Sequence, residues 1–281
     1  MNYYEEEPVS LYLSELSLLD DRSSSLQSVQ LLQHPWLGKV LVINGEIQHI
    51  ENYQTLYHET LVHLPAAFLP NIRTVLILGG GSLFAAYEVL KYPSVEKVIL
   101  CDYDHNVIDL MIDHYVHARS VKSDLRFEYV EQEGLSFIEK NSNQYDLIIN
   151  DCFNIAKESN LHKISYYSML RNLCTSSGVC VDIIYRHIFE KHTTLESLKY
   201  LSIEHNVAFS LVAVPEYPGI LHLETIWGKS SRITQGCTRS FNTFHQEIIN
   251  GSIPSPFSFF SPEYLPYYLY LPSYLRNVLN L

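Results

Sequence analysis

Basic residues are scarce in this chain. Its 281 residues hold 19 lysines and arginines against 31 aspartates and glutamates, a formal net charge of −12. Such a balance argues against a nucleic-acid surface and biases any site toward cationic small molecules. Cysteine is sparse too: five, an odd number with no C-x-x-C pair, form no disulfide framework. Cys101 and Cys180 lie in apolar, strand-like runs and read as buried thiols of a reducing cytoplasm. No stretch reaches about 18 uninterrupted apolar residues, and the opening MNYYEEEPVS lacks a basic n-region and an apolar h-region. Neither secretion nor membrane insertion is expected, and the location expected is cytoplasmic. A Walker loop is missing, as is a G-x-S-x-G elbow, since Ser82 lacks the second glycine; NTPase and hydrolase chemistry are set aside. No repeat period or low-complexity linker divides the chain.

What is there centres on Thr74 to Asp104, TVLILGGGSLFAAYEVLKYPSVEKVILCDYD. Thr74 to Leu78 is an apolar run of strand length, three glycines follow, and Leu83, Ala86, Tyr87 and Leu90 then share a helical face. A second apolar run, Lys97 to Cys101, ends on Asp102 and Asp104, about twenty residues beyond the glycines. Without a Cβ, Gly79, Gly80 and Gly81 let a ligand lie against bare backbone at a helix N-terminus. A carboxylate at the end of the second strand can accept both hydroxyls of a ribose, so the segment suits a nucleoside ligand.

The rest of the chain supports an α/β fold. Leu26 to Leu32, Lys39 to Ile43 and Glu46 to Ile50 alternate like strands, the last two joined by the hairpin signal Asn44-Gly45. Residues 1–65 are therefore expected to form a small N-terminal antiparallel β unit, closed by a helix around Tyr57 to Leu64 and by Pro65 and Pro70. Residues 66–281 are expected to form a Rossmann-like domain with a mainly parallel sheet and helices on both faces. A helix is placed at Asp104 to Ala118, and further strands at Arg126 to Val130, Asp146 to Asn150, Val179 to Ile184, Val207 to Val214 and Leu221 to Trp227. Four strand ends then share one mouth: Gly79 to Ser82, Asp102, Glu133 with Gly134, and Asp151. His114 and His117, one turn apart, are two ligands at most and read as a helix face rather than a metal site. The proline- and aromatic-rich tail from Pro254 excludes a long helix and reads as a packed cap or subunit interface.

In order along the chain, INGEIQHIE, LYHE, LILGGG, CDYD, INDC, SYY, VPEYPG and FFSPEYLPYYLYLP resemble the motifs of the spermidine synthase family, the polyamine aminopropyltransferases. The resemblance implies a β unit on a methyltransferase-type Rossmann domain, with homodimers or homotetramers common. It implies transfer of an aminopropyl group from decarboxylated S-adenosylmethionine, a co-substrate rather than a cofactor, to a diamine such as putrescine, leaving methylthioadenosine. It also implies roles for individual residues. Asp151 would take the proton of the amine, which is charged at neutral pH. Gln27, Gln48, Gly79, Gly80, Gly81, Ser82, Asp102, Glu133 and Gly134 would hold the donor. Tyr57, His58, Asn154 and Tyr217 would line the amine channel. No metal is implied.

This sequence departs from the family pattern. GGGDGG is GGGSLF here, so Ser82 stands where an acid would meet the donor's terminal ammonium. The second acid of the catalytic loop is Asn154, and a glutamate common on the next strand is replaced around Ile183 to Tyr185, with Asp182 close by in sequence. Fewer acids are thus expected to meet the two charges of a diamine. Three readings stay open: an aminopropyltransferase with altered amine choice, a methyltransferase using ordinary S-adenosylmethionine, and an inactive binding or assembly protein that kept the fold.

Overall fold

The structure, a computed structural model, describes residues 3–4, 12–152, 160–186, 206–214, 216, 221–231, 233, 257–261 and 264–279. Strands β1 (Tyr3–Tyr4) and β2 (Tyr12–Leu13) pair in an antiparallel ribbon. A four-stranded antiparallel sheet follows, with β3 (Ser17–Asp21), β4 (Val29–His34), β5 (Gly38–Ile43) and β6 (Glu46–Ile50) in sequential order. Asn44 and Gly45 turn the last hairpin with φ of +52° and +80°, the left-handed pair that a tight two-residue turn needs. Helix α1 (Thr55–Ala66) crosses the position where the sequence divides the chain, and Pro65 lies inside its last turn rather than beyond it.

The second sheet has seven strands in the order β12-β13-β11-β10-β7-β8-β9. Strand β7 (Thr74–Gly79), helix α2 (Phe84–Leu90) and strand β8 (Lys97–Asp102) come first in the chain. Helices α3 (His105–His114) and α4 (Val116–Ser123) lead to β9 (Phe127–Glu131). Helix α5 (Gly134–Lys140), β10 (Tyr145–Asp151), α6 (Asn160–Leu173) and β11 (Cys174–Arg186) follow, and β12 (Asn206–Ala213) and β13 (Leu221–Gly228) complete the sheet. Only β13 is reversed, being antiparallel to both β11 and β12. From β7 the chain moves outward to β8 and β9, then returns to place β10 on the other side of β7. That reversal is the topological switch point, where a crevice opens beyond the carboxyl ends of the strands.

Each face of the sheet has its own core. On one side Val75, Ile77, Ile149, Val181 and Ile226 pack under α1, α2 and the inward residues Val29, Leu31 and Leu41 of the N-terminal sheet. On the other, Leu76, Ile148, Cys180 and Trp227 pack under Ile138, Tyr166 and Leu170 of α5 and α6. Cys101 and Cys180 are buried thiols, as expected. The face foreseen for α2 is shifted: Leu83 caps the helix in the left-handed region, Phe84, Ala85, Ala86 and Val89 are buried, and Tyr87 is exposed. The helix foreseen from Asp104 to Ala118 is broken at Tyr115, whose extended backbone separates α3 from α4. Among the described residues no helix is long and apolar enough to cross a membrane.

The C-terminal segment is fastened by a single carboxylate. Glu59, 1% exposed on α1, accepts backbone N–H groups from Ser258, Phe259 and Phe260 at 2.8, 2.7 and 2.7 Å. Two short helices follow, Leu265–Tyr268 and Ser273–Leu279. Leu271 and Leu275 of this tail cover Phe209 and Leu223, so the tail is a packed cap. Glu59→Ala removes the acceptor of three backbone donors, of which that of Phe260 is buried, and is expected to cost about 1–3 kcal/mol of stability. Urea unfolding of the variant measures it, and a loss below ~1 kcal/mol means the tail holds without this clamp.

Candidate active site

Four strand ends converge at the switch point. Asp151 closes β10 directly opposite Gly79, the last residue of β7. A Cβ on Gly79, whose φ is +73°, would meet the Asp151 carbonyl oxygen at 2.7 Å, so only glycine lets the two strand ends touch. A Cβ on Gly81 would meet Asp102 Oδ2 at 3.0 Å. The glycine loop therefore lies between two carboxylates, Asp151 on one side and Asp102 on the other. Asp102 ends β8 and accepts the Asp104 N–H at 3.1 Å; burial raises its pKa above the ordinary carboxylate value. Asp104, itself fully buried, caps α3 through the Asn106 N–H.

The other donor-side positions separate into two groups. Gln27 is buried, and its side-chain oxygen accepts the Tyr103 hydroxyl at 2.7 Å, which ties the N-terminal sheet to the residue after Asp102. Glu133 follows β9, and its carboxylate caps α5 by accepting the Leu135 and Ser136 N–H groups at 2.9 and 2.7 Å, with Gly134 as the first helical residue. Gln48 is set apart from these. It is exposed, with its amide turned 3.5 Å from the Glu46 carbonyl, while its neighbour His49 points inward to the Tyr115 hydroxyl.

Helix α1 brings Tyr57 to Asp151. The phenol donates to Asp151 Oδ1 at 2.6 Å, while Oδ2 faces the loop, 3.4 Å from where a Gly80 Cβ would stand. Burial pushes the Asp151 carboxyl up to about 6; the Tyr57 hydrogen bond opposes this and the Asp102 charge adds to it. Burial, then the Asp151 charge, holds the Tyr57 phenol well above its usual pKa, so it stays a donor. His58 is buried beside it, bonded through Nδ1 to the Gln54 carbonyl at 2.9 Å and kept neutral by burial, with its pKa down to about 4. Asn154 and Tyr217 lie outside the described residues.

The departures at the glycine loop have a packing reason. Phe84 stacks on His117 at 3.9 Å between ring centroids and touches His49, His58 and Tyr115 edge-on or tilted. His117 meets the Ser82 carbonyl at 3.1 Å, and burial lowers its pKa to about 4. His114 instead meets Asp20 Oδ2 at 2.8 Å. The two histidines read as one helix face thus sit on separate helices with separate partners.

The expected shortage of acids is corrected by two glutamates that were overlooked in the sequence. Glu216 is buried and accepts the Ile50 N–H at 2.8 Å. Glu224, in the middle of β13, is fully buried, and neither of its carboxylate oxygens has a hydrogen-bond partner. Both act electrostatically on Tyr57, along with Asp151. Burial raises Glu216 to about 7 and Glu224 to about 8. Asp182, the neighbour in sequence that could replace the missing glutamate, faces the opposite core and accepts from Thr225 and Trp227 at 2.8 and 3.2 Å. A glutamate inside the run HLETIWG was the available signal, because an unpaired acid in a central strand is expensive unless it serves a site.

Comparison with known proteins identifies the family. Residues 54–236 match the model of the spermine/spermidine synthase domain. A polyamine aminopropyltransferase of Buchnera aphidicola subsp. Schizaphis graminum is 26% identical over 97% of this chain and 94% of its own. Putrescine N-methyltransferase 1 of Nicotiana tabacum is 30% identical over 72% of this chain and 55% of its own. Among solved structures, a spermidine synthase in complex with the transition-state analogue AdoDATO superposes with a TM-score of 0.88 at 23% identity, covering 100% of this chain and 95% of that one. The chain belongs to the spermine/spermidine synthase family and is a transferase.

The buried groups make stability depend on pH in two opposing directions. His58 and His117 titrate near 4 in the folded protein and near 6.5 when unfolded, so the unfolded state binds more protons between those values and stability rises with pH. Glu216 and Glu224 titrate near 7 and 8 when folded and near 4.5 when unfolded, so the folded state binds more protons in that interval and stability falls with pH. Above pH 6.5 the histidine contribution levels off and the fall outweighs it. Thermal unfolding of the ligand-free protein is expected to show Tm declining from pH 6.5 to 8. Glu224→Gln is expected to flatten that decline, and an unchanged slope would assign it to other groups.

Proposed function

We propose that this protein transfers the aminopropyl group of decarboxylated S-adenosylmethionine to a primary amine of a polyamine such as putrescine, releasing methylthioadenosine. The observation that carries the reading is Asp151, buried, hydrogen-bonded to Tyr57 at 2.6 Å and raised to about 6 beside the glycine loop. A base of that strength is matched to neutral pH, where the incoming amine is an ammonium that must lose a proton before it can attack.

The residues divide the work. The Gly79 to Gly81 loop and Asp102 hold the nucleoside, Asp102 accepting the ribose hydroxyls, with Gln27, Ser82, Glu133 and Gly134 around it. Tyr57, by donating to Oδ1, orients the Asp151 carboxylate so that Oδ2 looks toward the loop, where the ammonium binds and yields its proton. The freed nitrogen lone pair attacks the methylene carbon bonded to sulfur. The carbon–sulfur bond breaks, its electron pair neutralises the sulfonium, and methylthioadenosine leaves. His58 borders the amine path, to which the family resemblance also assigns Asn154 and Tyr217. No charge is created in the transition state that the site must newly stabilise, so positioning and proton removal supply the rate. A homodimer or homotetramer in the cytoplasm fits the family.

Asp151→Asn is expected to slow transfer by on the order of 10² to 10⁴ while donor binding stays intact, because the amide bonds but takes no proton. Tyr57→Phe removes a bond that favours the carboxylate form and should move the acidic limb of the kcat/KM profile to higher pH. Steady-state kinetics with calorimetry checks both, and full activity in the asparagine variant removes Asp151 from the base role.

The methyltransferase reading has its own support in Ser82, which neither attracts an ammonium nor repels a carboxylate, and in the likeness to the Nicotiana enzyme. Donor choice separates the two. Tighter binding of decarboxylated donor than of S-adenosylmethionine, with methylthioadenosine as product, is the expected outcome, and S-adenosylhomocysteine as product overturns it.

A further inference from the structure

Asp151 and Glu224 belong to one row across the sheet. Asn150 pairs with Asp182, so Asp151, one residue on, lies level with Ile183; Ile183 pairs with Glu224, and Glu224 with Ser210. Lateral neighbours in a sheet project to the same face. For this row it is the face under α1, since Ile149, Val181 and Ile226, each two residues from a member of the row, belong to the core on that side. Tyr57 projects from α1 toward the same acids. The row therefore reads acid, aliphatic, acid, hydroxyl.

Its spacing has a chemical counterpart. Two strand intervals put the Asp151 and Glu224 backbones about 10 Å apart. Two ammonium groups joined by four methylenes are separated by about 6 Å when extended, from ordinary single-bond lengths. Adding one charge-assisted hydrogen bond of about 2.8 Å at each end spans that interval. Ile183 lies between the acids, where the methylenes would run. Both Glu224 oxygens and the Ser210 hydroxyl are buried without a hydrogen-bond partner, and no lysine or arginine among the described residues acts on Glu224.

We infer that Glu224, assisted by Ser210, anchors the distal ammonium of the acceptor, so that the site selects amines carrying a second positive charge about four carbons from the reacting nitrogen. This rests on the acceptor reading of the Asp151 pocket given above. Without a ligand Glu224 holds its proton, which makes an unpaired buried acid tolerable; pairing with an ammonium displaces it.

The test uses the full-length protein with methylthioadenosine bound, and calorimetric titration of 1,4-diaminobutane and of butylamine, which has the same chain but a single nitrogen. Glu224→Gln preserves shape and removes a buried acid, so folding is retained. It should weaken diamine binding at least about tenfold and leave butylamine binding unchanged. Ser210→Ala should act in the same direction to a smaller extent. In turnover, Glu224→Gln should raise KM for the diamine with kcat nearly unchanged. Wild-type protein that binds no diamine overturns the inference, as does a glutamine variant that binds the diamine normally or weakens both amines equally. Glu224-dependent diamine binding without aminopropyl transfer would instead retain the anchor and reject the proposed reaction.

Discussion

The hydrogen bond from Tyr57 to Asp151 joins residues 94 positions apart in the chain, and the site depends on it. It fixes α1 over the carboxyl ends of β10 and β11, and it holds a carboxylate that burial alone would protonate more readily. The balance matters because the two effects oppose each other: desolvation drives the carboxyl toward neutrality and the phenol pulls it back. A fully exposed aspartate would be too weak a base for an ammonium, and an unbonded buried one would carry its own proton at neutral pH.

Helix α1 serves as the ruler that makes this possible. Within two turns it presents Tyr57 to Asp151, Glu59 to the backbone of the C-terminal segment, and His63 to the Glu88 carboxylate at 2.9 Å. Each attachment is polar, at least partly buried, and long-range in sequence. Sliding the helix by one turn, about 5.4 Å, would break all three together. The helix is therefore held in one register by contacts whose loss leaves buried charges or donors unpaired, a stronger constraint than apolar packing, which tolerates small shifts. Precision at Asp151 is thus supported by bonds that the same helix makes elsewhere.

The parts of this architecture written in local chemistry were legible before the fold was known. Asn44-Gly45 announced its hairpin, Gly79 to Gly81 the tight turn from strand to helix, and Asp102 and Asp151 their strand ends, because each needs a particular residue type at a fixed offset from an apolar run. Phe84 was not legible as a core residue: its place is set by His49, His58, Tyr115 and His117, which come from three other segments. Glu216 and Glu224 were missed for the same reason. An acid in a strand shows its meaning only when the neighbouring strands are known, and β13 is reversed next to β11 in a way that no local pattern specifies. Tyr115, which splits a helix that periodicity read as continuous, belongs to this class as well.

The strand pairing also shows how an acid absent from one strand can be supplied by its neighbour. The family's glutamate on the strand after the catalytic one is absent around Ile183 to Tyr185, yet Glu224 lies directly across from Ile183 on β13. Directly opposed side chains in an antiparallel pair have Cβ atoms about 5 Å apart, within the reach of a glutamate side chain. Moving the acid from one strand to its partner keeps the carboxylate over the same face of the sheet, which is what the proposed anchor requires, while changing its direction and the aliphatic surface beside it. A recognition site of this kind is defined by where charge stands over the sheet face. The sequence position that supplies the charge is free to change along each row of paired residues, and a motif confined to one strand cannot detect that exchange.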